Sequence, residues 1–310
     1  MHLEEQLDEV MPMFKTFKEA QAHHKTLGID PGDPLSTSIE EARAQQDRYF
    51  NSLLGELPEV SKVLDETVSS AQGPVSIRLT YPKSKGPFNY ILFIRGAGWW
   101  AGGLDSHTQT TASLANRSGC VVCAVDYYKT PGYAYPTQVE QVIDVLKFLA
   151  SRHAQFDLKG MPFLFGESAG STIALSVAQR LRDQQQDALE GLILFYCNAG
   201  GFKPTARKYS QWVWEQYIGP GQPLDQNDAV PLQGNLGGLP RVWMAVGEDD
   251  PLIVDTQKLN DQLIQSGAKP ILNILPGLPH GFLMWTATLE PALNALERAA
   301  EWIKAGMKSP

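Results

Sequence analysis

The chain has 310 residues, enough for one large domain or two small ones around a substantial core, which excludes a peptide or mini-scaffold. Hydrophobic residues make up 43% and charged residues 19%, with 27 glycines and 21 prolines, so neither a disordered nor a fibrous composition fits. The 26 Lys and Arg against 34 Asp and Glu leave a net charge of -8 with no basic stripe, which removes the electrostatic basis for gripping nucleic acid.

From the start of the chain, Met1 to Val10 is acidic and polar where a signal peptide would be basic and then apolar. No apolar run approaches the ~20 residues of a membrane helix. The three cysteines, Cys120, Cys123 and Cys197, cannot all pair with one another, which favours a reducing compartment. The expectation is a soluble cytoplasmic protein without membrane insertion. From Leu3 to about Leu54 apolar residues recur at helical spacing, with Leu3, Leu7, Val10, Phe14 and Phe17 on one stripe and Ile39, Ala42, Tyr49, Phe50 and Leu53 on another. A breaker, Gly28 to Pro34, separates them, and Ser38 with Glu41 three residues on suits a capping box opening the second helix.

After Thr67 the pattern turns to short apolar, β-rich runs: Val75 to Tyr81, Tyr90 to Ile94, Cys120 to Val125, Phe163 to Phe165, Leu192 to Tyr196, Val242 to Val246 and Ile271 to Leu275. Helical stretches fall between most of them, at Thr108 to Arg117, Thr137 to His153, Ala169 to Arg182 and Val254 to Gln265, and a last helix runs near Leu289 to Ile303. Such alternation predicts an α/β fold with a mostly parallel sheet flanked by helices. Cys120 and Cys123 lie three apart on one strand and so point to opposite faces, as core thiols. Gly200 to Pro240 is too long for an ordinary connection and reads as part of a lid or pocket wall.

The chemistry concentrates in three places. Gly166-Glu167-Ser168-Ala169-Gly170 sits between an apolar strand and a helical run, the context a nucleophile elbow requires. The triplet alone is weak, because a chain this rich in glycine can show it by chance. A serine hydroxyl needs a base to take its proton, and the base needs a third group to hold its ring. His280, just past the Ile271 to Leu275 run, and Asp250, just past the Val242 to Val246 run, supply both, in the chain order Ser, Asp, His that accompanies this elbow. Asp249 competes with Asp250. The remaining histidines, His2, His23, His24, His107 and His153, fall on or beside helices without metal-ligand spacing, so no metal is expected.

Together Gly166-Glu-Ser-Ala-Gly170, Asp250-Pro-Leu252, His280-Gly-Phe282, and Asp126-Tyr-Tyr-Lys-Thr-Pro131 followed by Tyr135-Pro136 resemble the hormone-sensitive-lipase-like branch of the α/β-hydrolases. The resemblance covers roughly Val75 to the C-terminus. It implies the α/β-hydrolase fold, with residues 1–60 as an N-terminal helical cap, 61–310 as the catalytic domain and 200–240 contributing to the cap. It also implies a cofactor-free serine carboxylesterase for a small-molecule ester, the aspartate before Pro-Leu, Asp250, being the triad member. Where the family loop reads His-Gly-Gly-Gly and then an aromatic, this chain has Arg95-Gly96-Ala97-Gly98-Trp99-Trp100. Backbone donors at Ala97, Gly98 and Ala169 form an oxyanion hole, with alanine serving in place of the middle glycine provided its φ is negative. Arg95 replaces a loop-bracing histidine; bracing and reading a substrate charge both stay open. Ser171, where a further glycine is common, falls within the helix. Trp99 and Trp100 beside the loop, and Trp212, Trp214 and Tyr217 at helical spacing in the Gly200 to Pro240 segment, are candidates for substrate contact or for core, and bulky tryptophans suggest short or medium acyl chains or an aromatic ester. An arylformamidase-type amidase uses the same elbow and triad, a ligand receptor on a hydrolase scaffold is a second alternative, and a homodimer is compatible with the sequence.

Overall fold

All seven expected strands lie side by side in one sheet in the computed structural model, which describes residues 12–201, 207–223 and 229–307. An eighth strand joins them at one edge. The strands are β1 (Lys62–Val68), β2 (Val75–Tyr81), β3 (Tyr90–Ile94), β4 (Val121–Asp126), β5 (Phe163–Glu167), β6 (Gly191–Phe195), β7 (Val242–Gly247) and β8 (Ile271–Leu275). Their order is β1-β2-β4-β3-β5-β6-β7-β8, with the β1–β2 and β2–β4 pairs antiparallel and every pair from β4 through β8 parallel. The helices are α1 (Phe17–Lys25), α2 (Ile39–Ser52), α3 (Thr108–Ser118), α4 (Thr137–Ala150), α5 (His153–Phe156), α6 (Ala169–Asp183), α7 (Lys208–Ile218), α8 (Ile253–Gln265) and α9 (Glu290–Gly306).

Alternation along each strand feeds two cores. On β3, Ile91 and Phe93 enter the core under α3 and α9, whereas Leu92 and Ile94 enter the one under α4 and α6. Cys120 and Cys123 part the same way, as their spacing predicts. A stack of Phe93, Phe165 and Phe195, with ring centroids 5.1 Å apart at each step, ties β3, β5 and β6 together on one face. Each ring, once buried, contributes about 1.5–3 kcal/mol, and each ring pair about 0.5–1.5 kcal/mol more. The central strands are therefore a rigid base. Register then sets the site: Ile94 pairs with Gly166, Glu167 with Phe195, and Gly247 with Leu275, so the segments beyond these residues leave the same edge of the sheet.

Several expectations need correction. The strand β1 has no counterpart among the expected runs, because Lys62, Asp65 and Glu66 break the apolar signal of an edge strand that is largely exposed. The first helix begins only at Phe17, and Phe14 instead bridges to Leu289; Leu3, Leu7 and Val10 lie outside the described residues. The two-way capping box belongs to Thr16 and Glu19 of α1, while Ser38 caps α2 one way, accepting from the Glu41 N–H at 3.2 Å. The stretch expected as one helix from Thr137 ends at Ala150 and resumes as the single turn α5. Between Gly200 and Pro240 lies α7, together with a short 3-10 turn at Pro231–Gln233.

Candidate active site

Ser168 stands on the turn between β5 and α6 with φ 49° and ψ -119°, a conformation that L-residues avoid and that surrounding structure must impose. The flanking glycines show how. A Cβ on Gly166 would lie 2.6 Å from the Gly170 carbonyl oxygen, and one on Gly170 would lie 2.0 Å from the Ile94 carbonyl oxygen. Neither position has room for a side chain, and the turn holds Ser168 above the sheet at the start of α6.

Ser168 Oγ lies 2.9 Å from His280 Nε2, and His280 Nδ1 lies 2.9 and 3.1 Å from the two carboxylate oxygens of Asp250. The Asp250 side chain is 0% exposed and also accepts from the Leu252 N–H at 2.7 Å, while the His280 side chain is 37% exposed. A carboxylate can only accept here, so Nδ1 carries the imidazole proton and Nε2 is left to receive the serine proton. Asp249 is exposed on the same loop and does not join the chain. Of the two aspartates the sequence left in competition, geometry brings Asp250 to the histidine.

Opposite the elbow runs the turn Arg95 to Trp100. Gly96 approaches closely enough that a Cβ there would lie 3.1 Å from Ser168 Cβ. Ala97, Gly98 and Trp99 come next, with φ of 68°, 59° and 63°, three consecutive left-handed residues. The condition that Ala97 have a negative φ is therefore not met. The alanine occupies the left-handed region at a cost of about 1–2 kcal/mol, and Trp100 N–H and Ala101 N–H both donate to its carbonyl oxygen. Among the described residues, the N–H groups of Ala97, Gly98 and Ala169 have no acceptor, and Ala169 is the first residue of α6, where the helix dipole favours negative charge. Arg95 is 2% exposed. Its guanidinium donates to the Ala101 carbonyl at 2.6 Å and the Tyr127 carbonyl at 3.3 Å, pairs with Asp126 at 3.1 Å, and lies over the Tyr127 ring at 4.1 Å. All of these contacts are with the protein itself, across the turn and to the end of β4 and the residue after it.

A protein-family model described as alpha/beta hydrolase fold matches residues 91–284, a span holding the turn, the elbow, Asp250 and His280. The chain is an α/β-hydrolase of the hormone-sensitive-lipase-like esterase group. Among curated relatives, an acetyl esterase of Salmonella typhi is 27% identical to this hydrolase over 262 residues, 78% of this chain and 80% of that protein. An acetyl esterase of Salmonella paratyphi B is 26% identical over the same shares. Among solved structures, a hyperthermophilic esterase from Pyrobaculum calidifontis superposes with a TM-score of 0.88 at 22% identity, covering 96% of this chain and 100% of that one. A thermostable esterase from Pseudomonas putida gives 0.86 at 22% identity, covering 96% and 99%. The structural likenesses establish the fold.

In this hydrolase Trp99, Trp100, Trp214 and Tyr217 are buried and Trp212 is half-buried. Trp99 stacks on Tyr217 with centroids 4.2 Å apart and meets Trp214 edge-on at 4.9 Å. Trp100 donates its Nε1–H to Tyr209 Oη at 2.9 Å. Tyr209 belongs to α7, and α2 also reaches the turn, through Arg43, which donates to the Trp100 and Thr130 carbonyls at 2.9 and 2.8 Å. Ser171 is fully buried inside α6 and bonds back to the Ser168 carbonyl, as its place in the helix predicts. No sequence signal marks Arg43 or Tyr209, and by spacing alone His107 is only a histidine at a helix border. Glu167, by contrast, lies in plain view inside the elbow motif. Among the described residues no group of three or more His, Cys, Asp or Glu is placed to hold a metal ion, and no helix is long and apolar enough to cross a membrane.

Proposed function

We propose that this hydrolase is a serine carboxylesterase acting through an acyl-enzyme on small esters with short or medium acyl chains or an aromatic group. The observation that carries the reading is the Ser168–His280–Asp250 hydrogen-bond chain, with Ser168 close against the turn at Gly96 and, among the described residues, three backbone N–H groups at that turn and at the start of α6 left without an acceptor. His280 takes the proton of Ser168 as Oγ attacks the ester carbonyl, and Asp250 holds the ring and stabilises the imidazolium. The carbonyl oxygen becomes an oxyanion held by the N–H groups of Ala97, Gly98 and Ala169. As the tetrahedral adduct collapses, the C–O bond to the alcohol breaks and His280 returns its proton to the leaving oxygen. A water, deprotonated by the same histidine, then attacks the acyl carbon, and Ser168 departs with the proton.

Arg95 serves as the brace of the oxyanion turn. Trp99, Trp100 and Trp214 form the wall behind it, and α1, α2 and α7 serve as the cap. The small acyl group named by the acetyl esterase relatives agrees with a site backed by three indoles. The deciding experiment is steady-state hydrolysis of p-nitrophenyl esters of increasing acyl length by the wild type and by Ser168→Ala, with an aryl formamide run in parallel. Robust ester turnover that disappears in the variant supports the reading; a variant with wild-type rates overturns it, and turnover of the formamide alone moves the protein to the amidases.

A further inference from the structure

Two sets of anchors hold the oxyanion turn. At its ends they come from the sheet: the Gly96 N–H donates to the buried Glu167 carboxylate at 3.2 Å, the Tyr127 hydroxyl donates to the Arg95 and Gly96 carbonyls at 3.0 and 3.1 Å, and Arg95 donates to the Ala101 carbonyl. Burial alone raises the Glu167 pKa, but His107, Tyr196 and the Gly96 N–H together bring it below the ordinary glutamate value, so Gly96 meets a charged acceptor. Between these ends Ala97, Gly98 and Trp99 are all left-handed, and two of the three carry a side chain. Such a run persists only where its surroundings impose it.

The middle of the turn is held from outside the sheet. Helix α2 lays Ala42, Gln46 and Phe50, four residues apart, on the protein interior, and Arg43 stands beside that stripe. Its guanidinium donates through Nε to the Trp100 carbonyl at 2.9 Å and through Nη2 to the Thr130 carbonyl at 2.8 Å, and the Thr130 N–H donates in turn to the Trp99 carbonyl at 3.1 Å. One planar fork thus joins the turn to the segment after β4, a shape that the compact ammonium of a lysine does not reproduce. From α7, Tyr209 accepts the Trp100 indole N–H at 2.9 Å, and its hydroxyl lies so close over Gly98 that a Cβ there would stand 2.8 Å away. Tyr217 and Trp214 of the same helix pack on Trp99. Guanidinium and indole can only donate and a carbonyl can only accept, so the sense of these bonds follows from the groups themselves.

We propose that Arg43, with Tyr209 as its counterpart on α7, positions the oxyanion turn for catalysis: the helices read above as the cap complete the donor geometry at Ala97 and Gly98. Both are positioning residues that act through Trp100, and the role rests on the reading of Ser168 as nucleophile and of this turn as its oxyanion hole. The donors matter most once the carbonyl oxygen has become an anion, so a displaced turn lowers kcat and leaves KM nearly unchanged.

The test is kcat, KM and the inhibition constant of an aryl trifluoromethyl ketone, whose adduct with the serine carries the same oxyanion, for Arg43→Met, Arg43→Lys and Tyr209→Phe, with thermal unfolding in parallel. Arg43→Met keeps the apolar stem and drops both bonds. Its kcat should fall about ten- to a hundredfold with KM within about twofold, and the ketone should weaken by about the same factor as kcat/KM. Arg43→Lys, able to reach one carbonyl, should fall between Arg43→Met and the wild type. Tyr209→Phe removes one oxygen from a residue that is 41% exposed and should lose kcat about threefold or more, with the ketone following; it carries the test alone should Arg43→Met fail to fold. Wild-type kcat and ketone affinity in the folded variants, a loss confined to KM, or a fall in kcat without the matching loss of ketone affinity overturns the positioning role. Turnover surviving in Ser168→Ala would instead strike the nucleophile assignment, and this role with it.

Discussion

Replacing Asp250 by Asn isolates what the buried carboxylate does. The change is nearly isosteric, and the amide oxygen can keep the bond from the Leu252 N–H that Oδ1 now accepts at 2.7 Å. The fold therefore loses less than about 1 kcal/mol on this account. At the 2.9 Å contact with His280 Nδ1, however, an NH2 group replaces an acceptor. The NH2 group is the nearer to Nδ1, at 2.9 Å against 3.1 Å for the amide oxygen that the Leu252 N–H already occupies, so Nδ1 accepts from it, the imidazole proton moves to Nε2, and Nε2 directs that proton at Ser168 Oγ, 2.9 Å away. The base is left in the wrong tautomer to take the serine proton. In triads of this type the corresponding change costs about ten-thousandfold in kcat, equivalent to about 5.5 kcal/mol of transition-state stabilisation. The assay is kcat and KM on a p-nitrophenyl ester with thermal unfolding in parallel, and Asp249→Asn as control. A kcat within about tenfold of wild type, or a larger loss from the Asp249 change, would refute the tautomer assignment.

Gly170→Ala should abolish activity or prevent folding, because its Cβ would lie 2.0 Å from the Ile94 carbonyl oxygen and drive β3 away from the elbow; a soluble variant of wild-type activity would contradict the close approach. Burial pushes the Cys120 thiol up to about 11, Cys197 up to about 12 and Cys123 higher still. All three should resist a thiol-exchange reagent in the native state at about pH 8 and react together in denaturant; rapid native labelling would contradict this. Because the Glu167 pKa is lowered on folding, its ionisation contributes stability in full above the unfolded value near 4.5 and loses it as pH falls through the folded value. Glu167→Gln should therefore show a shallower acid limb in urea unfolding measured across pH, and an unchanged slope would show that the group does not couple to folding.

Local pattern made much of this protein legible in its sequence. Short apolar runs marked β3 to β7 because central strands buried on both faces cannot hide their composition, and β2 and the exposed edge strand β8 because their own sequences are apolar, whereas a charged edge strand such as β1 carries no such signature. The elbow was readable because Gly166 answers a contact with its near neighbour Gly170, although Gly170 itself is fixed by the distant Ile94 carbonyl. Asp250 and His280 were readable because each lies on the loop after a strand, and parallel strands deliver those loops to one edge. Only the tertiary structure decided what depends on distant segments meeting. It put Ala97 into a left-handed conformation, held between Gly96 at the elbow and a stacked Trp99. It also turned Arg95 inward to Asp126 and joined His107 to Glu167 from a distant part of the chain. Conformation and charge pairing at these positions arise from the space and dielectric created when the chain closes on itself, and neither is written in the residues on either side.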